Sequence, residues 1–241
     1  MLIGVEKQMH KVVGIVGGMG PSATALLFQK LIDYTDARVD SEHMHIIIDN
    51  NTSIPDRTTA ILNGENTPAM HICESGKKLE QCGAELILIP CNTSHYFYNY
   101  IQEQLEIPVV NMIKETAREC LEKEYQKIGV LCTTGTRNTK IYDRELEKYG
   151  ISVLYPDDEG QKKVMEIIYD QVKAGKPGDA SIIKETLKNM EKKGAQAFIL
   201  ACTELPMVIK DGDYGYCFID SLDVLAKRSV ELAGYKLKKH D

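Results

Sequence analysis

No apolar run in the sequence approaches the roughly 20 consecutive residues that a membrane-spanning helix requires, so we expect no transmembrane segment. The opening stretch MLIGVEKQMHKVVGIVGG also lacks the long apolar core and the small-residue cleavage site of a signal peptide. Apolar residues make up 43% of the chain and charged residues 27%, which is typical of a globular protein. Together these features predict a cytoplasmic location.

The seven cysteines form no CxxC pair. An odd number of cysteines without this spacing argues against a disulfide framework and against a zinc ribbon, so we expect free thiols. His43 and His45 alternate along a predicted strand, but no further ligand follows at a suitable spacing. We therefore interpret both histidines as structural and predict no metal.

Positive charge is not in excess either. The formal net charge is −6 and the pI is near 5.6, which argues against binding to the phosphate backbone of nucleic acids. The lysines in LKNMEKKG and YKLKKHD are interpreted as solvated faces of helices. We expect a small-molecule partner, with no nucleic acid and no membrane, and the sequence leaves a homodimer open.

Short β-rich runs alternate with helical periods along the chain. The first half contains predicted strands at 12–18, 45–51, 84–90 and 107–111, a helix beginning near Pro21, and helices at 66–82 and 94–105. The second half repeats this order with the strand-like runs KIGVLC, ISVLYP, AFILAC and YCFID. Such alternation is typical of an α/β fold in which helical crossovers join parallel strands.

The two halves share a register as well as an order of elements. Gly83-Ala84 lies eight residues before Cys91, and Gly194-Ala195 lies eight residues before Cys202. Each cysteine ends an apolar run, and each is followed at once by small polar residues. The two cysteines are therefore predicted to occupy equivalent places in two similar halves.

We interpret the chain as two pseudo-symmetric domains, each a parallel sheet flanked by helices. The first is predicted to comprise 1–111 with 217–241, and the second 112–216. Ligands of parallel α/β sheets bind at the carboxyl ends of the strands, where both cysteines lie. Cys91 and Cys202 are thus expected to face one active-site cleft between the domains.

Two thiols on opposite sides of a cleft suit the inversion of a carbon that carries one acidic hydrogen. One group removes the proton from one face, while the other delivers a proton to the opposite face. A cysteine thiol has a pKa near 8.5, so modest perturbation by helix N-termini and neighbouring hydroxyls provides a usable thiolate. The motifs CNTSH and CTE supply such donors beside each sulfur.

Five motifs together resemble the aspartate/glutamate racemase superfamily, and most closely its cofactor-independent aspartate racemases. They are GGMGPSAT, DNNTSIPDR, PCNTSH, CTTGTRNT and ACTELP, and the resemblance extends from Val12 to Asp223. It implies two α/β domains with the active site between them, a cysteine acid/base in each half, and no cofactor. By this resemblance, Cys91 and Cys202 are the two catalytic bases.

Polar residues that follow the strands are predicted to hold the substrate. Amides and hydroxyls at helix starts suit an α-carboxylate and the charge of a developing carbanion. These groups belong to Asn92, Thr93, Ser94, Thr133, Gly135 and Thr136. Met19 and Gly20 resemble the loop that covers the substrate in the racemase family.

The resemblance also implies two cations for the carboxylates of the substrate. Arg57 and Lys173 match the positions that aspartate racemases use for this purpose. Thr203 and Glu204 complete the predicted substrate-binding set. Glu204 either tunes the thiol of Cys202 or caps the following helix, and the sequence does not choose between the two.

Two other functions remain open at this stage. The stretch GMGPSA satisfies the GxGxxA fingerprint of dinucleotide-binding proteins, and Asp40 follows at a compatible distance, which would indicate a nucleotide-binding oxidoreductase. The same cleft and cations would also serve a non-catalytic protein that binds an acidic amino acid. Aspartate and glutamate are likewise not distinguished by the sequence.

Overall fold

The computed structural model describes residues 10–239, and these residues form two parallel β-sheets flanked by helices. The first sheet has the order β2-β1-β3, with β1 at Val13–Gly17, β2 at Ile46–Asn50 and β3 at Leu86–Leu88. The second has the order β5-β4-β6-β7, with β4 at Lys127–Cys132, β5 at Ser152–Leu154, β6 at Ala197–Ala201 and β7 at Phe218–Asp220. The named strands pair in parallel in both sheets, which confirms the predicted α/β fold.

Helices connect the strands in the expected alternation. The α-helices are α1 Pro21–Tyr34, α2 Arg57–Asn63, α3 Thr67–Gln81, α4 Tyr98–Gln104, α5 Met112–Glu122, α6 Thr134–Thr139, α7 Ile141–Glu147, α8 Asp158–Met165, α9 Lys184–Lys192 and α10 Ser221–Leu232. The helix predicted at 94–105 is divided into a 3-10 turn at Thr93–Phe97 and the helix α4. A π-helical segment, Glu166–Val172, extends α8.

A close approach between neighbouring strands occurs at the same place in each half. Gly14 on β1 pairs with Ile87, and a Cβ at Gly14 would lie 2.8 Å from Cδ1 of that isoleucine. Gly129 on β4 pairs with Phe198, and a Cβ there would lie 2.4 Å from Cδ1 of the phenylalanine. Both halves thus use a glycine to admit a large apolar side chain from the adjacent strand.

The predicted strand at 107–111 is reduced to a single bridge between Val109 and Ile87. Pro108 has no N–H to donate, and the amide of Val109 donates to the side chain of Gln102 at 2.8 Å. The amide of Ile107 likewise donates to Glu80, at 3.1 Å. Toward β3 the segment makes one pair of ladder bonds, since Ile87 donates to the carbonyl of Pro108 and Val110 donates to the carbonyl of Ile87, both at 2.9 Å. The amides of Ile107 and Val109 face the opposite side, where side chains take them in place of a further strand.

The last elements of the described chain contact both halves. β7 pairs with β6 in the second sheet, whereas the predicted division assigned 217–241 to the first half. The helix α10 that follows packs against α1 and α5, and its apolar residues join those of β1 in one buried cluster. Strand β7 therefore belongs with the second sheet, and the remaining boundaries stay a proposal.

No helix between residues 10 and 239 is long and apolar enough to cross a bilayer. The predicted absence of a signal peptide concerns the start of the chain, and residues 1–9 lie outside the described part. Within the described part, no group of three or more histidine, cysteine, aspartate or glutamate side chains is arranged to hold a metal ion.

Candidate active site

The two equivalent cysteines line the same cavity. Cys202 follows the end of β6 directly, and Cys91 lies three residues beyond the end of β3. Both are buried, with 6% of each side chain exposed. The cavity is small and is lined by Met19, Asp56, Arg57, Thr58, Cys91, Asn92, Thr93, Thr133, Tyr169, Lys173, Cys202, Thr203 and Glu204. The carboxyl ends of strands from two different sheets therefore converge on one enclosed space.

Larger clefts lie elsewhere on the molecule. One of about 1090 Å³ runs beside α10 and Lys30, and another of about 910 Å³ lies near Tyr96 and Lys148. Neither is lined by Cys91 or Cys202. The chemistry of the residues, rather than the size of the opening, therefore identifies the smaller cavity as the candidate site.

Cys202 is held as a thiol by its surroundings. Its Sγ donates a hydrogen bond to Oε2 of Glu204 at 2.9 Å. Burial raises the pKa of Cys202 well above its usual range, and the negative charge of Glu204 raises it further, while Lys173 acts in the opposite direction. The 3-10 turn that begins after Glu204 receives no hydrogen bond from this side chain. Of the two predicted roles of Glu204, the structure contains the contact with the thiol.

Arg57 begins α2 and lies on the Cys91 side of the cavity, with only 6% of the residue exposed. Its Nη1 donates to the carbonyl oxygens of Ile54 at 3.2 Å and Pro55 at 3.0 Å, and its Nη2 donates to that of Met19 at 3.1 Å. The buried Nε has no partner. Burial acts to lower the pKa of the guanidinium, but Cys91, Asp56 and Tyr169 together outweigh it and the pKa is raised. Arg57 is therefore a fixed positive charge beside one sulfur.

The second cation, Lys173, lies at the end of the π-helical segment. Lys173 is its C-terminal cap, and the amide of Lys173 bonds to the carbonyl of Ile168 with the five-residue spacing of a π-helix, at 3.0 Å. The ammonium lies 4.3 Å from the centre of the Tyr169 ring. Burial acts to lower the pKa of Lys173, but Cys202 and then Glu204 raise it above its usual value. The residue as a whole is exposed, so Lys173 lies at the rim with its charge directed toward the site.

Asp56 and Tyr169 connect the segments that carry the two cations. The hydroxyl of Tyr169 contacts Oδ2 of Asp56 at 3.0 Å and Oγ1 of Thr58 at 3.1 Å. The other oxygen of Asp56 caps α2 by accepting from the amide of Thr59 at 2.8 Å. Asp56, Thr58 and Tyr169 were not predicted as site residues. The apolar segment VMEIIYDQV buries Ile167 and Ile168, but Tyr169 faces the cavity.

Three threonine hydroxyls meet between the halves. Oγ1 of Thr93 lies 3.1 Å from that of Thr133 and 2.9 Å from that of Thr136. Oγ1 of Thr133 also caps α6 by accepting from the amide of Thr136 at 3.1 Å. Thr93 and Thr133 line the cavity, whereas Thr136 lies behind them and is fully buried.

Two predicted substrate ligands have other partners in the structure. Ser94 is fully buried and contacts Sδ of Met19 at 3.3 Å, and it does not line the cavity. Asn92 does line it, but Oδ1 accepts from the hydroxyl of Tyr142 at 2.6 Å and Nδ2 donates to Oγ of Ser221 at 3.0 Å. Only one N–H of the Asn92 amide is left for another acceptor.

Asp40, the acid predicted to complete the dinucleotide fingerprint, does not lie where the fingerprint requires it. Asp40 lies exposed in the 3-10 turn Asp40–Glu42, which precedes β2. The acid that binds ribose belongs at the carboxyl end of the second strand, which here ends at Asn50. Gly20 instead faces the thiol-containing site, since a Cβ there would lie 3.5 Å from Oε1 of Glu204. The arrangement does not support the nucleotide-binding alternative.

The cavity thus contains one cysteine from each of two similar halves of the chain. Residues 16–228 match the model of the Asp/Glu/hydantoin racemase family, and the chain belongs to this family. Its resemblance to racemases is thereby confirmed.

Three similar proteins cover almost the whole chain. The broad specificity amino-acid racemase RacX of Bacillus subtilis (strain 168) is 30% identical over 90% of this chain and 96% of its own. The structure of Picrophilus torridus aspartate racemase is 33% identical, with a TM-score of 0.81 over 95% of this chain and 96% of the other. An aspartate racemase homologue from Pyrococcus horikoshii OT3 is 29% identical, with a TM-score of 0.75 over 92% and 99%.

Proposed function

We propose that this amino-acid racemase works without a cofactor and uses Cys91 and Cys202 as its two acid/base groups. The observation that carries the proposal is that both sulfurs line one cavity although they come from different sheets. An amino acid bound between them presents one face of its α-carbon to each sulfur. Proton removal on one side and proton delivery on the other then invert the configuration.

The two thiols start from different states in this proposal. Cys202 holds its proton against Glu204, while Cys91 lies beside the positively charged Arg57 guanidinium. In one direction of the reaction, the Cys91 thiolate takes the α-proton and the Cys202 thiol gives its proton to the opposite face. The carbon is again neutral, Cys91 is now protonated and Cys202 is the thiolate. The reverse direction uses the same groups with their roles exchanged.

We further propose that the substrate is an acidic amino acid, and specifically aspartate. A carboxylate buried in a small cavity requires a positive partner, because an unpaired buried charge is unfavourable. Arg57 and Lys173 both line the cavity and supply two such partners. Arg57 has an unbonded N–H at Nε, and Lys173 has a mobile ammonium at the rim, so both have donors for a side-chain carboxylate.

The α-carboxylate is assigned to the hydroxyls and amides that follow the strands. Thr93 and Thr133 line the cavity from opposite halves, and α6 begins directly after Thr133. Neutral donors of this kind hold a carboxylate and also stabilise charge that develops toward it as the carbanion forms. The relative named as an aspartate racemase supports this substrate, whereas the relative named as a broad specificity racemase makes neutral amino acids the alternative to exclude.

Racemisation assays on cysteine variants test the catalytic part of the proposal. The conversion of L- to D-aspartate and its reverse should proceed in purified protein without added cofactor, and Cys91→Ala and Cys202→Ala should each abolish both directions. Cys120→Ala is the matched control, because Cys120 is also fully buried but lies in α5 outside the cavity. Activity that survives in either site variant would remove the two-cysteine mechanism. Tight aspartate binding without any conversion would instead indicate the non-catalytic binding protein.

A further inference from the structure

A chain of buried hydrogen bonds passes directly behind the candidate site. The hydroxyl of Tyr142 donates to Oδ1 of Asn92 at 2.6 Å, and Nδ2 of Asn92 donates to Oγ of Ser221 at 3.0 Å. The hydroxyl of Ser221 in turn donates to the carbonyl oxygen of Leu200 at 2.8 Å. Tyr142 and Ser221 are fully buried, and Asn92 is 2% exposed. Water does not compete for these groups.

Two members of this hydrogen-bond chain lie close to the two cysteines in sequence. Asn92 immediately follows Cys91 in the first half, and Leu200 lies on β6, two residues before Cys202. Tyr142 is on α7 of the second half, and Ser221 is the first residue of α10. The bonds therefore tie the segment that carries one sulfur to the strand that carries the other.

Asn92 is fixed from both ends of its amide. Its carbonyl oxygen has one donor and its nitrogen one acceptor, so rotation of the side chain would break both bonds at once. A buried polar group that loses its partner is destabilised by its full desolvation, which keeps the side chain in this one orientation. The backbone of the Cys91–Asn92 segment is fixed with it.

We propose that Tyr142 and Ser221 are positioning residues that hold the Cys91 segment at a set distance from β6, so that the two sulfurs face each other across the substrate. This inference rests on the proposed function. Two-base inversion requires each sulfur to approach its own face of the α-carbon to within about 3 to 3.5 Å. Displacement of the Cys91 segment slows proton transfer at Cys91 and leaves transfer at Cys202 intact. In the direction where Cys202 removes the α-proton, removal therefore remains possible while delivery from Cys91 to the opposite face is impaired.

That imbalance gives the positioning role its own signature. When delivery is slow, the carbanion more often regains a proton from the thiol that formed it, and that thiol has exchanged with solvent. In deuterated water, the recovered substrate then acquires label without changing its configuration. A loss of stability alone would lower the amount of active protein without changing this ratio of exchange with retention to inversion.

The experiment compares Tyr142→Phe and Ser221→Ala with the wild-type protein in deuterated water, using L-aspartate and D-aspartate in separate reactions. Tyr155→Phe is the matched control, because its hydroxyl contacts Asp143 on the same helix α7 at 2.6 Å and does not touch Asn92. We expect both test variants to lower kcat for inversion by about tenfold or more with little change in KM, since a small misplacement of reacting groups has effects of this size. With the enantiomer whose proton Cys202 removes, the ratio of exchange to inversion should rise in both variants and stay at the wild-type value in the control.

The outcomes separate this inference from the proposed function. If the wild type inverts aspartate and both variants keep its kcat and its exchange ratio, the positioning role is wrong while the racemase assignment stands. If the wild type neither exchanges nor inverts any amino acid, the proposed function fails. The separation of the Cys91 and Cys202 sulfurs in crystal structures of the wild type and Tyr142→Phe then still decides the inference. A change in that separation supports it, and an unchanged separation overturns it.

Discussion

Replacing Glu204 with glutamine removes the negative charge beside Cys202 and keeps an acceptor oxygen. In the wild type, Sγ of Cys202 lies 2.9 Å from the carboxylate, and this charge adds to burial in raising the pKa of the thiol. Two unit charges 4 Å apart interact by about 4 kcal/mol at an effective dielectric constant of about 20. Lys173 offsets part of this repulsion. Even a quarter of it, about 1 kcal/mol, changes the ionised fraction of the thiol roughly fivefold.

We therefore expect Cys202 in Glu204→Gln to react with iodoacetamide at least about fivefold faster than in the wild type, because only the thiolate is a good nucleophile. Mass spectrometry of the peptide that contains Cys202 measures the rate separately from the other thiols. Glu103→Gln is the control, because Glu103 is exposed on α4 and remote from the cavity. An unchanged or slower rate at Cys202 would refute the role assigned to Glu204.

The same variant should change the pH dependence of racemisation. Activity requires one thiolate and one thiol, so the rate falls at both pH extremes, and the pair titrates as a coupled unit. The limb at high pH reports loss of the thiol proton, which the raised pKa of Cys202 delays. Removing the charge of Glu204 lowers that pKa, so the high-pH limb of Glu204→Gln should move to lower pH. Movement toward higher pH would contradict the argument.

Three further predictions concern specificity and stability. Arg57→Ala and Lys173→Ala should each lower kcat/KM for aspartate at least about tenfold, because a charge-assisted contact contributes about 1.5 to 3 kcal/mol. Equal losses of kcat/KM with alanine as substrate would argue against a contact with the side-chain carboxylate. Tyr169→Phe keeps the ring beneath the Lys173 ammonium and removes the bond to Asp56, so we expect KM for aspartate to rise more than kcat falls, whereas Tyr169→Leu should affect both. Burial raises the pKa of Cys120 to about 12, so the unfolded state loses its proton first and stability falls as the pH rises from about 9 to 12. Urea midpoints at pH 8 and pH 10.5 should therefore differ less in Cys120→Ala than in the wild type.

The sequence predicted those features of the fold that depend on local pattern. The alternation of apolar runs with helical periods indicated the two parallel sheets, and the repeated Gly-Ala and cysteine register located both sulfurs at strand ends. The strand predicted at 107–111 is reduced to a single parallel bridge with β3, and on its other side the amides of Ile107 and Val109 bond to the side chains of Glu80 and Gln102. Such contacts leave no trace in the periodicity of the segment itself.

The candidate site was predicted where motifs carry it and missed where the fold assembles it. Cys91, Arg57 and Cys202 lie in motifs that resemble the family, and all three line the cavity. Tyr169 was missed because an apolar helical pattern buries its neighbours, while the wider π-helical turn directs its hydroxyl to Asp56. No local signal distinguishes that tyrosine from a core residue.

The hydrogen bonds between the two halves also could not be predicted from the sequence. The hydrogen bonds of Asn92 join Tyr142 and Ser221, which are 50 and 129 residues away along the chain. The sequence motif suggested that Asn92 contacts substrate, and only the three-dimensional arrangement shows that most of its amide is already engaged. The position of a ligand-like residue in a motif does not reveal what its side chain binds.

The central claim is that two sulfurs act on opposite faces of one α-carbon, and early turnovers in deuterated water test it most directly. Purified wild-type protein is incubated with L-aspartate without added cofactor, and the chirality and α-deuterium content of both enantiomers are followed together. Two opposed bases predict that the D-aspartate formed carries deuterium from the start, while the remaining L-aspartate stays largely unlabelled. Deuterium that enters L-aspartate without formation of the D-enantiomer, or a complete absence of α-exchange, would contradict it.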